Sequence, residues 1–340
     1  MSVNVGIVAS AMINAAGVGT EQVMAATQAG LCLYQESSLL NSRGVPFKMA
    51  WVPEACLPVL DANLKTASPK GRYKRMMKLV LAALDTFPQK LDVFPPLYLA
   101  LPERIGALPF AALEPFLKDL HQRWPMFDLE ASKVFPGGRA AGASAIAAAL
   151  EACEAGEEVV LVGGVDSAMD LALMNRLNKD KRLLTGATNQ GYVPGEGAAF
   201  LLLDTEVSSR EVCLSGAATA EEPGHLYSEE TCKAEGLLSA VARAGEALGE
   251  PAKTVFCGLT GENIAIKEWG ITASKSPLIS PEMLLSHPAE NFGDLGAATI
   301  PTLVALAVGR LKEKPSSAPA LVWAASDYAL RGAVTLAVAP

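Results

Sequence analysis

Histidine is nearly absent from this chain, with three in 340 residues, at positions 121, 225 and 287. The six cysteines, at 32, 56, 153, 213, 232 and 257, form no Cys-x-x-Cys pair and show no metal-ligand spacing. A zinc site is therefore not expected, no metal or cofactor is expected, and a reducing cytoplasm is the expected location. A basic surplus is missing too. The 28 Lys and Arg stand against 36 Asp and Glu, a net charge of −8. A general nucleic-acid binder needs clustered cations to neutralise phosphates, so that class is excluded. No apolar run reaches the roughly 20 residues that cross a bilayer, and the Ala-rich run 140–153 carries Glu151. The first residues, MSVNVGIVAS, lack a positive leader and pass straight into a strand pattern, so no signal peptide is expected.

What is present is a half-apolar chain rich in Gly and Ala, with 6% aromatic residues. That composition suits closely packed helices and buried parallel strands. The length allows two ordinary domains or one large duplicated core.

The chain also resembles itself. GGRAAGASAIAAALEAC (137–153), EEVVLVGGVDSAMD (157–170) and GEGAAFLLLD (195–204) match FGDLGAATIPTLVALAVGRL (292–311), APALVWAASDYAL (318–330) and RGAVTLAVAP (331–340). Each set reads as an apolar helix, a continuous apolar strand and a closing strand. Asp166 and Asp327 fall at matching places. The front ends match more loosely, with strands expected over 3–9 and 211–217 and helices over 20–29 and 234–248. A boundary in TEVSSRE then divides the chain into halves 1–205 and 206–340. Two such halves predict stacked sheets with helices between them.

The stretch GYVPGEGAAFLLLD (191–204) resembles the Gly-Glu-Gly signature of the β-ketoacyl synthases of the thiolase-fold superfamily. GVGTEQVMAATQAGLCLYQE (17–36), GRYKRMMKLVLAALDTF (71–87) and ENFGDLGAATIPTLVALA (290–307) are similar to further conserved elements of that family. The resemblance spans essentially the whole chain. It implies a duplicated five-layer α/β/α/β/α sandwich and a homodimer, or a heterodimer with a related subunit, formed through an edge strand.

The same resemblance places a nucleophilic cysteine at the start of the buried helix of the first half, and two assisting His or Asn residues in the second half. Here Arg139 falls at the cysteine, Cys257 at the first assisting position, and Asp294 or Gly293 at the second. A guanidinium stays protonated and cannot attack a thioester. The implied function is a protein without condensing activity that binds an acyl group, an acyl carrier protein or another protein partner, in an accessory or chaperone-like role of the kind found beside bacterial secreted effectors. The alternative is an acyltransferase of fatty-acid or polyketide metabolism using Cys257 or a partner subunit.

Gly195, Glu196 and Gly197 are expected to be structural. Cys153 and Ser144 are expected to be packing residues, His121 a face residue and His225 a loop residue, while His287, just ahead of the second buried helix, is not expected to reach the pocket. Arg139 at a helix N-terminus is unfavourable unless a carboxylate faces it, so a direct ion pair with Asp294 is expected.

Overall fold

The computed structural model describes residues 4–41, 44–60, 71–87, 93–105, 113–184 and 190–339. The first half supplies strands β1 (Val5–Asn14), β2 (Gly17–Val18), β3 (Gln35–Leu40), β4 (Pro46–Met49), β5 (Pro96–Leu101), β6 (Asp128–Pro136), β7 (Val159–Ser167) and β8 (Glu196–Asp204). The second supplies β9 (Val212–Glu221), β10 (Ala252–Cys257), β11 (Ile279–Ser286), β12 (Ala320–Ala325) and β13 (Leu330–Val338). The helices are α1 (Thr20–Gln28), α2 (Gly71–Leu84), α3 (Leu113–Arg123), α4 (Ala141–Glu154), α5 (Leu171–Lys179), α6 (Glu235–Ala244), α7 (Asn263–Lys275), α8 (Ala289–Phe292) and α9 (Thr299–Glu313).

The strands run in the order β6-β5-β7-β8-β1 in one block and β11-β10-β12-β13-β9 in the other. Leaving out the short β2, β3 and β4, each block places its third, second, fourth, fifth and first strands side by side. The blocks meet where Val5 and Gly6 pair with Leu214 and Cys213. Such identical ordering of ten strands is the topological form of the repeat seen in the sequence.

Both faces of each block are covered, which explains the unbroken apolar runs. In β8, Leu201 and Leu203 face the central core while Phe200 and Leu202 face an outer one. In β12, Val322 and Ala324 point inward while Leu321 and Trp323 point outward. This is the two-residue alternation of a strand, with apolar partners on either side. The central core holds α4 and α9 through Ile146, Ala149, Ile300 and Val304. Helices α2 and α3 cover the first block, and α6 and α7 the second. The layers are thus helix, sheet, helix, sheet, helix.

Two glycines set the spacing of that central layer. A Cβ on Gly142 of α4 would lie 2.6 Å from Cβ of Ile300 on α9. A Cβ on Gly164 of β7 would lie 2.3 Å from the carbonyl oxygen of Ala297. Only a missing side chain admits such contacts.

Some expected boundaries move. The opening strands run further than expected, to Asn14 and Glu221, because they continue as pairing partners of β8 and β13. The helix expected over 234–248 is Glu235–Ala244: Ala234 has φ 61° and Gly245 follows its last residue. An additional helix, α5, starts where the Asp170 side chain accepts from the N–H of Leu173.

Candidate functional site

Arg139 lies in the 3₁₀ turn Gly138–Ala140, directly ahead of α4. Asp294 lies between α8 and the 3₁₀ turn Gly296–Ala298 that leads into α9. The two entry turns touch each other. Residues 155 positions apart are thereby brought face to face. Arg139 Nε donates to Asp294 Oδ1 at 2.9 Å, and Nη2 donates to Oδ2 at 2.6 Å. The expected ion pair is present and bidentate, the strongest form of this contact. Asp294 Oδ1 also accepts the N–H of Gly296 at 3.0 Å, so one carboxylate both opens the turn and holds the guanidinium.

The pair belongs to a longer string of charges. Arg139 Nη1 donates to Asp327 Oδ1 at 2.6 Å. Asp327 also accepts from Arg182, Nη1 to Oδ2 at 2.6 Å and Nη2 to Oδ1 at 2.8 Å. Arg182 in turn donates to both oxygens of Glu262, at 2.8 and 2.9 Å, and to Tyr227 Oη at 3.0 Å. The Tyr192 ring centroid lies 5.5 Å from the guanidinium carbon of Arg139 and 5.1 Å from that of Arg182, within reach of cation–π attraction. Arg139, Arg182 and Asp327 are 6%, 5% and 4% exposed, so water screens the alternating signs poorly.

Burial alone would disfavour the charged form of each group. For Asp327 the two guanidiniums outweigh burial and hold its carboxyl well below the usual carboxylate range. Arg139 is disfavoured by burial but held firmly protonated by Asp294 and Asp327. Glu103 behaves oppositely. It accepts the N–H of Asp327 at 2.7 Å and that of Tyr328 at 3.3 Å. Burial and the neighbouring Asp327 charge push its carboxyl up to about 7.

The space that remains is small. Arg72, Glu103, Arg139, Asp166, Asp294 and Asp327 line a cavity of about 50 Å³. That admits one or two water molecules and no acyl chain. Cys257 stands at the end of β10, 1% exposed. The void it shares with Asp294 has about 10 Å³, room for about one water and no acyl group. Burial pushes the Cys257 thiol up to about 12, so the nucleophilic thiolate is scarce at neutral pH. Gly293 has φ 72° and no side chain to offer.

The Gly-Glu-Gly segment builds the wall behind Asp294. Glu196 is fully buried and accepts from the N–H of Val52 at 2.8 Å, Ser167 Oγ at 2.6 Å and Arg75 Nε at 3.0 Å. Gly195 N–H donates to the Asp294 carbonyl at 2.8 Å. A Cβ on Gly195 would lie 2.8 Å from that same oxygen, and one on Gly197 would lie 2.7 Å from the Ile13 carbonyl. The motif therefore ties backbone segments together.

The histidines stand apart from Arg139. His121 packs edge-on against Phe127 with centroids 5.1 Å apart. His225 Nδ1 accepts the N–H of Tyr227 at 3.2 Å. His287 pairs with Glu290 at 3.1 Å on the rim of a surface cavity that Asp294 also lines. Ser144 and Cys153 lie along α4, and Cys153 is buried in the central core.

Sequence reasoning missed Arg182, Glu262, Glu103 and Tyr192. Asp327 carried a signal through its match to Asp166. In the structure Asp166 binds Arg72 at 2.5 Å and accepts the N–H of Ala297 at 3.2 Å. Each half thus sets an aspartate at the end of its fourth strand, beside an arginine and near the start of a central helix.

No family model matches the chain, and no curated protein matches it by sequence. Solved structures do match in shape. The ishigamide ketosynthase/chain length factor superposes with a TM-score of 0.74 at 16% identity, covering 99% of this chain and 100% of that one. The complex of the ketosynthase ApeO with its chain length factor ApeC from Xenorhabdus doucetiae gives 0.76 at 16% identity, covering 99% and 98%. A type II polyketide synthase acyl-carrier protein in complex with its hexaketide-bound ketosynthase, AntDE:AntF, gives 0.74 at 11% identity, covering 100% of both. Together with the repeated strand order and the paired central helices, these likenesses establish the thiolase-like fold of the ketosynthases and chain length factors across the whole chain.

Proposed function

We propose that this chain is a non-condensing ketosynthase-like subunit that acts by binding, in the manner of a chain length factor beside an active ketosynthase. One observation carries this reading. The guanidinium of Arg139 fills the start of α4, where a nucleophile would stand by resemblance, and three charge-assisted hydrogen bonds to Asp294 and Asp327 hold it there. A group so placed can neither attack a thioester nor leave room for an acyl chain. Strand β6 closes the first block as an edge, and it is the surface through which a related subunit would add, extending the sheet. The partner is a related subunit, with an acyl carrier protein as a further candidate through that subunit.

The test is co-expression with an active ketosynthase from the same cell. The pair should elute as a heterodimer. This chain alone should neither condense nor decarboxylate malonyl thioesters above a buffer control. Arg139→Cys should not restore turnover, because no His or Asn assists it. Turnover by the unmodified chain alone overturns the proposal. An acyl adduct by intact mass that disappears in Cys257→Ala would favour the acyltransferase alternative instead.

A further inference from the structure

Away from the charge string, a second feature lies where α1, α9 and the ends of β10 and β11 converge. Met24 and Thr27 of α1, Phe256 of β10, Leu284 of β11, and Leu306 and Arg310 of α9 surround a groove of about 150 Å³. Its walls are apolar apart from a few polar atoms, and Leu284 is 50% exposed at its mouth. Arg310 is the exception. Its Nε is buried and makes no hydrogen bond, and its guanidinium enters no ion pair among the described residues.

The carboxylate best placed to satisfy it is engaged elsewhere. Glu313 lies three residues on along α9, the spacing at which helical side chains meet. Both of its oxygens instead accept from Gln28 Nε2, each at 3.0 Å. The carbonyl end of α9 favours a cation in its last turn, yet it supplies no acceptor to Nε. Arg310 as a whole is part-exposed, so its terminal nitrogens are the donors a ligand in the groove would meet, and a guanidinium without an ion pair is shaped for a carboxylate.

We propose that this groove is a binding site for a small monocarboxylate with a short apolar tail, the carboxylate on Arg310 and the tail between Met24, Phe256, Leu284 and Leu306. Size sets the tail. An apolar cavity of about 150 Å³ holds a molecule the size of benzene, which corresponds to roughly six carbons. Phosphate fits less well, since one guanidinium among apolar walls leaves most of its oxygens dehydrated and unpaired. The site is separate from Arg139 and Asp294, and it stands or falls independently of the proposed subunit role.

Isothermal titration of the full chain with hexanoate, hexanol and acetate tests the assignment. Hexanoate should bind one to one, at least tenfold more tightly than either hexanol or acetate. Arg310→Met should remove the preference for hexanoate over hexanol in a protein that stays folded, as circular dichroism would show. Leu284→Trp, which fills the mouth and keeps the charge, should weaken hexanoate at least tenfold. Equal affinity for hexanoate and hexanol, unchanged hexanoate binding in Arg310→Met, or no binding of hexanoate up to 10 mM overturns the proposal. Binding that persists in Leu284→Trp overturns the placement of the tail.

Discussion

Replacing Arg139 by methionine removes the cation at the junction of the two central helices. Three charge-assisted hydrogen bonds donated by its guanidinium go with it, two to Asp294 and one to Asp327. Asp327 keeps Arg182, but among the described residues the Asp294 side chain is left with the Gly296 N–H alone. Its side chain is 9% exposed, so water replaces the lost bonds only in part. Breaking a buried pair from one side costs about 3–5 kcal/mol, and Arg139→Met should fall in that range. Asp294→Asn keeps the shape and the Gly296 contact. It loses charge-assisted bonding worth about 1.5–3 kcal/mol. The double variant leaves Asp327, Arg182 and Glu262 intact with no stranded ion, so it should cost about 2 kcal/mol less than the sum of the singles. Urea unfolding at pH 7.5, with the slope checked for constancy across variants, measures all four corners of the cycle. Additivity within about 0.5 kcal/mol would refute the electrostatic coupling, whatever the size of each single effect.

Three further outcomes are expected. Glu103 titrates near 7 in the folded state against an ordinary 4.5, so the folded protein binds the extra proton and stability should fall as pH rises through that window. Glu103→Gln should flatten this fall, which urea midpoints at pH 5 and pH 8 would show; a wild-type midpoint that climbs more steeply than the variant's would contradict the assignment. Iodoacetamide at pH 8 should label Cys32 and Cys56 quickly and the four buried cysteines only in denaturant, with fast labelling at Cys257 as the contrary result in peptide mass spectra. Gly142→Ala should lower the melting temperature, since its Cβ would press on Ile300 and Pro301 at 2.6 and 2.7 Å and overpacking costs about 1–3 kcal/mol, more than the roughly 1 kcal/mol that helix propensity returns.

The elements of the fold were legible in the chain because they rest on local pattern. Continuous apolar runs such as VVLVGGV and ALVWAA announce strands covered on both faces, and the Ala-rich segments announce helices buried all round. The ordered recurrence of these elements carried the duplication. The pairing of Arg139 with Asp294 was also within reach, because the resemblance assigns the two positions to facing helix starts and a buried cation at a helix N-terminus demands a carboxylate. The remainder of the charge string was not legible. Arg182, Asp327 and Glu262 lie 145 and 80 positions apart in the chain, and nothing in their neighbours marks them as partners. Glu103 in LPERIG and Tyr192 in GYVPG look like ordinary loop residues. Only the stacking of two sheet blocks on a shared helical layer brings their ends to one place and excludes water there. The sequence by itself determined which residues could carry charge; tertiary structure decided which of those charges are buried together, because burial and Coulomb attraction act on distance in space and not on distance along the chain.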